Sequence, residues 1–310
     1  MNGPTTPPGD VLRGPRAGYS SGRASVKPEL IADYACECGE NPLWHEDEQR
    51  LYWVDITPGR LFRYDPASGK HEQCYEDGPV GGFTIQADGS LLLFMAEGAV
   101  KVWREGELST VVDHLPEERG SRFNDVIADP AGRVFCGTTG AGAKPGRLYR
   151  LDLDGRLTKV LDGVEGANGL GFTPDRRHMY FTHTLPLEIH LYDYDQASGR
   201  VTNQRLFVRV PQGDGKPDGM TVDAEGFVWS AYWDGWCLVR FTPDGREERR
   251  ITFPAKKVSS LIFGGRDYTD MYVTTAGGGD KAKEGSGAGA LFRVNVGIRG
   301  LPEFRSRIGC

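Results

Sequence analysis

The chain has 310 residues, of which 38% are hydrophobic and 26% are charged, as is usual for a globular protein. Its formal net charge of −6 argues against nucleic acid or an anionic membrane as a partner, because both require a basic face. No stretch approaches the roughly 18 apolar residues that are needed to cross a bilayer. We therefore expect no nucleic-acid or membrane partner. A small-molecule partner and a monomeric or weakly oligomeric state are further expectations for this chain.

The first 27 residues are rich in Pro, Gly and Ser and poor in large apolar side chains. Such a composition predicts a disordered tail over residues 1–27, and it lacks the continuous apolar run of a secretory signal. The six cysteines are scattered, and Cys36 and Cys38 alone are too few for a zinc site. Without an export signal they are expected to be reduced thiols, so we predict a cytoplasmic protein.

After the tail, short apolar strands alternate with Asp-Gly, Pro-Asp and Ser-Gly turns, which is typical of an all-β protein. One unit recurs along the chain: a polar turn, a short apolar strand, a loop, and a second strand that ends at an acidic or Gly turn. The first apolar residues of the equivalent strands are Leu51, Leu91, Val134, Met179, Val228 and Met271.

The spacings between these six residues are 40, 43, 45, 49 and 43. Six units of this length predict a six-bladed β-propeller with one four-stranded sheet per unit, as a single domain over residues 28–310. The segment Leu30–Tyr34 could supply an outer strand that closes the ring against the last blade. A β-sandwich of coincidental meanders is the alternative, although it would not need six similar units.

The residue ten or eleven positions before each of these six residues is expected near the start of an innermost strand, beside the central channel. We call this the axial position. In chain order it holds Glu40, Gly81, Asn124, Asn168, Asp218 and Ser260. Four of the six therefore bring carboxylate or amide oxygens to one place, where burial without a compensating charge would be costly.

Two carboxylates and two amides form a set of hard oxygen donors. This set predicts one divalent cation in the channel, with Ca²⁺, Mg²⁺ or Mn²⁺ suited best and Zn²⁺ still possible. The proposed ligands are Glu40, Asn124, Asn168 and Asp218. The alternative for each position alone is a structural turn, because Asn and Asp are common in turns.

Five segments carry a family resemblance: CECGENPLW, SRFNDVIADPAGRVFCGT, NGLGFT, PDGMTVDAEGFVW and FGGRDYTDMYVTTA. Together they resemble the gluconolactonase family, which also contains senescence marker protein (regucalcin) and luciferin-regenerating enzyme. The resemblance covers about residues 28–298 and implies a propeller fold and metal-dependent hydrolysis of a sugar lactone. The family's cation ligands match Glu40, Asn124, Asn168 and Asp218, the residues that the repeat selects independently.

The resemblance also implies that Arg122, in the R-x-N-D motif, binds substrate and that Asn124 can touch it as well. In some relatives the loop after the F-x-G-T strand carries a substrate-binding glutamate. Here the corresponding stretch, Thr138–Lys144, reads TTGAGAK and has no acid. This departure predicts that substrate recognition differs from that of those relatives, and it leaves the implied reaction unchanged.

For the reaction, Asp218 is the candidate general base, and water activated by the cation itself is the competing possibility. Glu40 is assigned only to holding the cation. Two other functions stay open: a metal-dependent esterase or phosphotriesterase acting at the same site, and a non-catalytic calcium-binding protein.

Two other groups of side chains attract attention. His183 and His190 lie seven residues apart, and such histidines are more often surface or core residues than ligands. The Trp-rich stretch Trp229–Trp236 could line the channel mouth and stack on a sugar, or it could be blade packing. No G-x-S-x-G nucleophile motif is present.

Overall fold

The computed structural model describes residues 26–309, so nearly all of the predicted tail lies outside it. The described chain forms six four-stranded antiparallel sheets, each a meander of neighbouring strands. This confirms the predicted all-β, six-bladed propeller. Within the described part, no helix is long and apolar enough to cross a membrane.

The strands of the N-terminal half are β1 (Glu29–Asp33), β2 (Gly39–His45), β3 (Arg50–Asp55), β4 (Arg60–Asp65), β5 (Lys70–Glu76), β6 (Val80–Ile85), β7 (Leu91–Met95), β8 (Val100–Arg104), β9 (Glu107–Val112), β10 (Phe123–Ala128), β11 (Val134–Thr138), β12 (Gly146–Leu151) and β13 (Leu157–Val164). Those of the C-terminal half are β14 (Ala167–Phe172), β15 (His178–His183), β16 (Glu188–Asp195), β17 (Arg200–Arg209), β18 (Lys216–Val222), β19 (Val228–Trp233), β20 (Cys237–Phe241), β21 (Glu247–Thr252), β22 (Val258–Gly264), β23 (Asp270–Thr275) and β24 (Ala290–Asn295). The helical elements are two 3₁₀ turns, Pro116–Glu118 and Gly278–Asp280, and the four-residue helix α1 (Lys281–Glu284).

Blades one to five are formed by β2–β5, β6–β9, β10–β13, β14–β17 and β18–β21. Blade six contains β22, β23 and β24, and its outer strand is β1. Glu29 pairs with Arg293 and Leu30 with Phe292, so the beginning of the described chain closes the ring. The closing strand predicted from Leu30–Tyr34 is therefore correct, with a shift of one residue.

Burial changes from the axis to the rim of each blade, and the sequence follows it. The strand LLLFM of β7 is buried at every residue, whereas most of KHEQCYE in β5 is exposed. Strands covered on both faces read as continuous apolar runs, while outer strands tolerate charge. Aromatic pairs then join adjacent blades: Trp44 stacks on Tyr272 at 5.9 Å, and Phe94 meets Phe123 edge-on at 5.3 Å.

After β24 the chain crosses one mouth of the channel. Residues 299–309, which we call the C-terminal strap, contact turns of several blades. The carbonyl of Arg299 accepts a hydrogen bond from the Ala224 amide at 2.9 Å, and the Ser306 amide donates to the Ile85 carbonyl at 3.0 Å. Ile308 is only 2% exposed in the core near blade three. These turns follow the far ends of inner strands, so the strap covers the mouth opposite the axial residues.

The five cysteines of the described chain are free, and none forms a disulfide. Cys310 lies outside the described residues.

Candidate functional site

All six axial residues lie at the second or third residue of an innermost strand, as the repeat predicts. The pairing register is also irregular at or beside every one of them. The irregularities fall between Glu40 and Leu43, Val80 and Gly82, Phe123 and Val126, Asn168 and Leu170, Pro217 and Met220, and Val258 and Ser260. A bulge redirects side chains, and in this protein it does so at the same level in all six blades.

The two small axial residues are explained by packing. A Cβ atom added to Gly81 would lie 1.9 Å from the carbonyl oxygen of Phe123 in the next blade. Ser260 also packs closely against the neighbouring blade, because a Cβ atom added to Gly219 would lie 2.3 Å from Ser260 Oγ. The small residues at Gly81 and Ser260 allow neighbouring inner strands to approach closely. The carboxylate and amide oxygens of the channel therefore come from the other four axial residues.

Two asparagines link three blades through their amides. Asn124 Nδ2 donates to Asn168 Oδ1 at 2.7 Å and to the Ala167 carbonyl at 2.8 Å. Asn168 Nδ2 in turn donates to Thr184 Oγ1 at 2.8 Å, and that hydroxyl donates to the Pro217 carbonyl at 2.8 Å. The chain of hydrogen bonds therefore runs from blade three to blade five and fixes both amides.

The two axial carboxyl groups are almost completely buried, Glu40 being 3% and Asp218 4% exposed. Glu40 Oε2 accepts a hydrogen bond from the Asn41 amide at 3.0 Å, whereas no donor to the Asp218 carboxyl is found within residues 26–309. Burial, followed by repulsion from Asp218 and then Asp125, raises the pKa of Glu40 well above its usual range. Burial and repulsion from Asp125 raise the pKa of Asp218 in the same direction. Ionised together, these carboxylates need positive charge.

Part of that charge comes from Arg122, which precedes β10. Its Nη1 donates to Asn124 Oδ1 at 2.6 Å and to the Phe123 carbonyl at 2.9 Å. The guanidinium also opposes the rise in pKa of both Glu40 and Asp218. Arg122 thus lies among the axial residues, where the sequence motif places it.

One acidic residue at this site was missed by the sequence reasoning. Asp125 is 7% exposed, and burial raises its pKa to about 7 despite the opposing charge of Arg122. Strict alternation along β10 would turn Asp125 away from the channel if Asn124 faces it. The irregular register between Phe123 and Val126 interrupts this alternation, so Asp125 need not point away from the channel. Asp125 therefore lines a small axial cavity of about 40 Å³, room for two or three water molecules.

That cavity lies between the axial residues and the C-terminal strap. Asn41, Ser260 and Glu303 also line it, the last from the strap itself. Burial raises the pKa of Glu303 to about 7, and its nearest hydrogen-bond partner is Thr221 Oγ1 at 3.5 Å. The sequence contained no signal for Glu303, because it lies outside the repeating units.

The histidines lie in blade four and do not join the axial residues. Their rings are 4.8 Å apart, and His190 Nε2 pairs with Glu188 at 2.7 Å. Burial lowers the pKa of His183 to about 4. The tryptophans of the stretch Trp229–Trp236 differ in burial. Trp229 is fully buried, and its Nε1 donates a hydrogen bond to Asp223 Oδ2 at 2.9 Å, whereas Trp236 is 41% exposed.

A divalent cation fits the chemistry of the four donors, because two buried carboxylates with raised pKa values would be stabilised by it. Within residues 26–309, no cluster of three or more His, Cys, Asp and Glu side chains is arranged to hold a metal. The proposed set contains only two carboxylates, and its other oxygens belong to amides. The cation site therefore stays a proposal.

Comparison with known proteins identifies the family of this chain. Residues 38–277 match the model of the SMP-30/Gluconolactonase/LRE-like region. The chain belongs to this family. Within it, the protein is 49% identical to pentonolactonase XacC of Haloferax volcanii, over 90% of this chain and 97% of that one.

Two further relatives cover nearly the whole chain. Regucalcin of Gallus gallus is 32% identical over 91% of this chain and 98% of its own. The solved structure of a luciferin-regenerating enzyme superposes with a TM-score of 0.82 at 27% identity, covering 92% of this chain and all of that one. The resemblance inferred from the five sequence segments is confirmed.

Proposed function

We propose that this protein hydrolyses the ring ester of a sugar lactone to the open-chain aldonic acid, with one divalent cation held by Glu40, Asn124, Asn168 and Asp218. The observation that carries the proposal is the convergence of four oxygen-bearing side chains at equivalent positions of four blades, with Arg122 beside them. The 49% identity to a pentonolactonase over most of both chains supports a lactone of this kind as substrate.

A cation at these oxygens would polarise the lactone carbonyl and stabilise negative charge that develops on its oxygen during hydrolysis. Ca²⁺, Mg²⁺, Mn²⁺ and Zn²⁺ are the candidates, since all accept carboxylate and amide oxygens.

Arg122 orients the substrate. Its guanidinium presents a planar fork of donors, and such a fork suits the hydroxyl and ring oxygens of a sugar. The contact with Asn124 Oδ1 at 2.6 Å holds the fork at the axial residues. Asn124 touches the substrate through the same segment, so one short stretch of β10 serves both cation and substrate.

Asp218 serves as the general base. It accepts a proton from water as the water oxygen bonds to the carbonyl carbon, and it returns that proton to the ring oxygen when the acyl–oxygen bond breaks. Because Asp218 is also a proposed ligand, a bound cation would lower the pKa of its carboxyl group, so water activated by the cation itself is the competing possibility. Glu40 has no such role and only holds the cation.

The position of Arg122 favours an enzyme over a simple calcium-binding protein. A site built only to retain a cation gains nothing from a guanidinium among its carboxylates, because like charges repel. Hydrolysis of a phosphotriester at the same residues is the alternative enzymatic function.

The test is proton release with a panel of pentono- and hexonolactones and one phosphotriester. Exhaustive chelation should abolish lactone hydrolysis, and Mn²⁺, Mg²⁺, Ca²⁺ and Zn²⁺ should restore it to different degrees. Full activity in rigorously metal-free protein would overturn the cation proposal. Turnover of the phosphotriester alone would overturn the choice of substrate.

A further inference from the structure

The mouth of the channel near Asp218 has a wall that the proposed chemistry does not use. Trp233 ends β19 and pairs in register with Lys216, two residues before Asp218. Lys257 directly precedes β22, three residues before the axial Ser260. Lys257 Nζ lies 5.4 Å from the centre of the Trp233 ring. The two side chains therefore meet between blades five and six, on the side of the axial residues where the inner strands begin.

This wall is held by short backbone contacts. The Trp236 amide donates to the Lys256 carbonyl at 3.1 Å, and the Lys256 amide donates to the Glu284 carbonyl at 2.7 Å. The turn after β19, the segment before β22 and helix α1 are thus joined. A recognition surface benefits from such rigidity because little ordering is needed when the ligand binds.

The positive charges at the wall are partly compensated, since three lysines meet two carboxylates. Lys257 Nζ lies 3.0 Å from Glu284 Oε1, and the Glu284 side chain is only 7% exposed. Lys216 and Lys256 both approach Asp234, at 3.8 and 3.7 Å. All three lysines can donate hydrogen bonds, but Lys216 and Lys256 share one carboxylate, whereas the charge of Lys257 is balanced by Glu284. A contact through Lys257 therefore suits an uncharged hydroxyl group better than a phosphate or carboxylate.

Across the axis lies the other substrate-binding group. In a ring of six blades, blade three is opposite blade six, so Arg122 and Lys257 come from opposite sides of the channel. A sugar bound beside Asp218 would then have Arg122 on one side and the partly buried Trp233 ring on the other. Aromatic rings pack well against the apolar C–H groups of a sugar, while a lysine ammonium binds its hydroxyls.

We propose that Trp233 and Lys257 form the specificity wall of the site, binding the ring face and hydroxyls of an uncharged sugar lactone, and that Glu284 excludes anionic lactones by neutralising Lys257. The inference rests on the proposed lactonase function. It assigns recognition of the sugar, whereas the axial residues act on the ester.

Removal of the wall should affect substrate capture more than the chemical step. Trp233→Ala and Lys257→Met should each raise KM for glucono-1,5-lactone by about tenfold, the effect of losing one good contact, with kcat within roughly threefold of wild type. Trp233→Phe and Lys257→Arg should recover most of the loss. The control is Lys159→Met, which removes another carboxylate-paired lysine, 2.6 Å from Asp162 on outer strand β13.

The charge argument has its own test. Glu284→Gln keeps the size of the side chain and leaves Lys257 without its counter-charge. The ratio of kcat/KM for a 6-phosphorylated gluconolactone to that for gluconolactone should rise about tenfold. The double variant Glu284→Gln with Lys257→Met should lose that gain. Melting temperatures of all variants identify any that simply misfold.

The outcomes separate this inference from the proposed function. Absence of lactone hydrolysis by the wild-type protein overturns the function. Wild-type hydrolysis combined with unchanged KM in Trp233→Ala and Lys257→Met, or with an unchanged substrate ratio in folded Glu284→Gln, overturns the specificity wall and leaves the function intact.

Discussion

The exchange Asp218→Asn separates holding the cation from activating water. It keeps the shape of the side chain and one oxygen donor, and it removes the negative charge and the basic oxygen. Asp218 is 4% exposed, so solvent offers little substitute for either loss. If Asp218 is the base, turnover at saturating metal should fall by about 10²–10⁴-fold, the usual contribution of general base catalysis. That range corresponds to about 3–5 kcal/mol of activation free energy.

The same exchange should have the opposite effect on the stability of the metal-free protein. The pKa of Asp218 is raised from 3.8 in the folded state, so ionisation of this group costs folding free energy once the pH exceeds 3.8. Asparagine removes that cost, and the difference should grow with pH until the folded-state pKa is passed. Burial is the largest cause of this raised pKa, followed by repulsion from Asp125, and Arg122 and Lys216 oppose both. The melting temperature of the metal-free variant should therefore lie above that of the metal-free wild type, and more so at pH 8 than at pH 6.

The assay combines lactone-dependent proton release at saturating metal with thermal unfolding in chelator at pH 6 and pH 8. Cation affinity should also fall, since the site loses one of its two ligand charges, and a metal titration of the melting temperature reports it. Arg122→Ala is the matched control: it should spare cation binding and mainly raise KM. Turnover of Asp218→Asn near the wild-type rate would show that Asp218 is a ligand only. A fall in metal-free stability at pH 8 would refute the electrostatic reasoning.

Two truncations at opposite ends of the chain form the remaining predictions. Deletion of residues 1–27 should leave melting temperature and activity nearly unchanged, because its composition cannot bury much apolar surface; a large loss of stability would show that the tail docks on the propeller. Deletion of residues 299–310 should lower the melting temperature by about 5–10 °C, since removing buried Ile308 alone costs about 1.5–3 kcal/mol and the strap's backbone hydrogen bonds are lost as well. Scanning calorimetry of both variants beside the full chain checks this pair, and a strap deletion with unchanged melting would show that the strap adds nothing to the fold.

The architecture follows from the sequence because a propeller repeats. Each blade needs an apolar strand with turns on either side, and this requirement recurs about every 40–50 residues, so six units can be counted without knowledge of their contacts. The same repetition places Glu40, Asn124, Asn168 and Asp218 at one level, because equivalent residues of equivalent blades reach equivalent points around the axis. Arg122 comes from the resemblance of its motif to known lactonases.

The residues around the axial oxygens could not be predicted from the repeat, because they depend on strand irregularities and on contacts between distant segments. Asp125 faces the channel because β10 is bulged, and alternation along the strand predicts the opposite. Glu303 reaches the axial cavity from the strap, which no blade repeats. Lys257 meets Trp233 and Glu284 only when blades five and six and helix α1 come together. The ring and its axial oxygens could be predicted because both are periodic. The surroundings of those oxygens depend on tertiary contacts, because each neighbour comes from a different loop or from a break in the period.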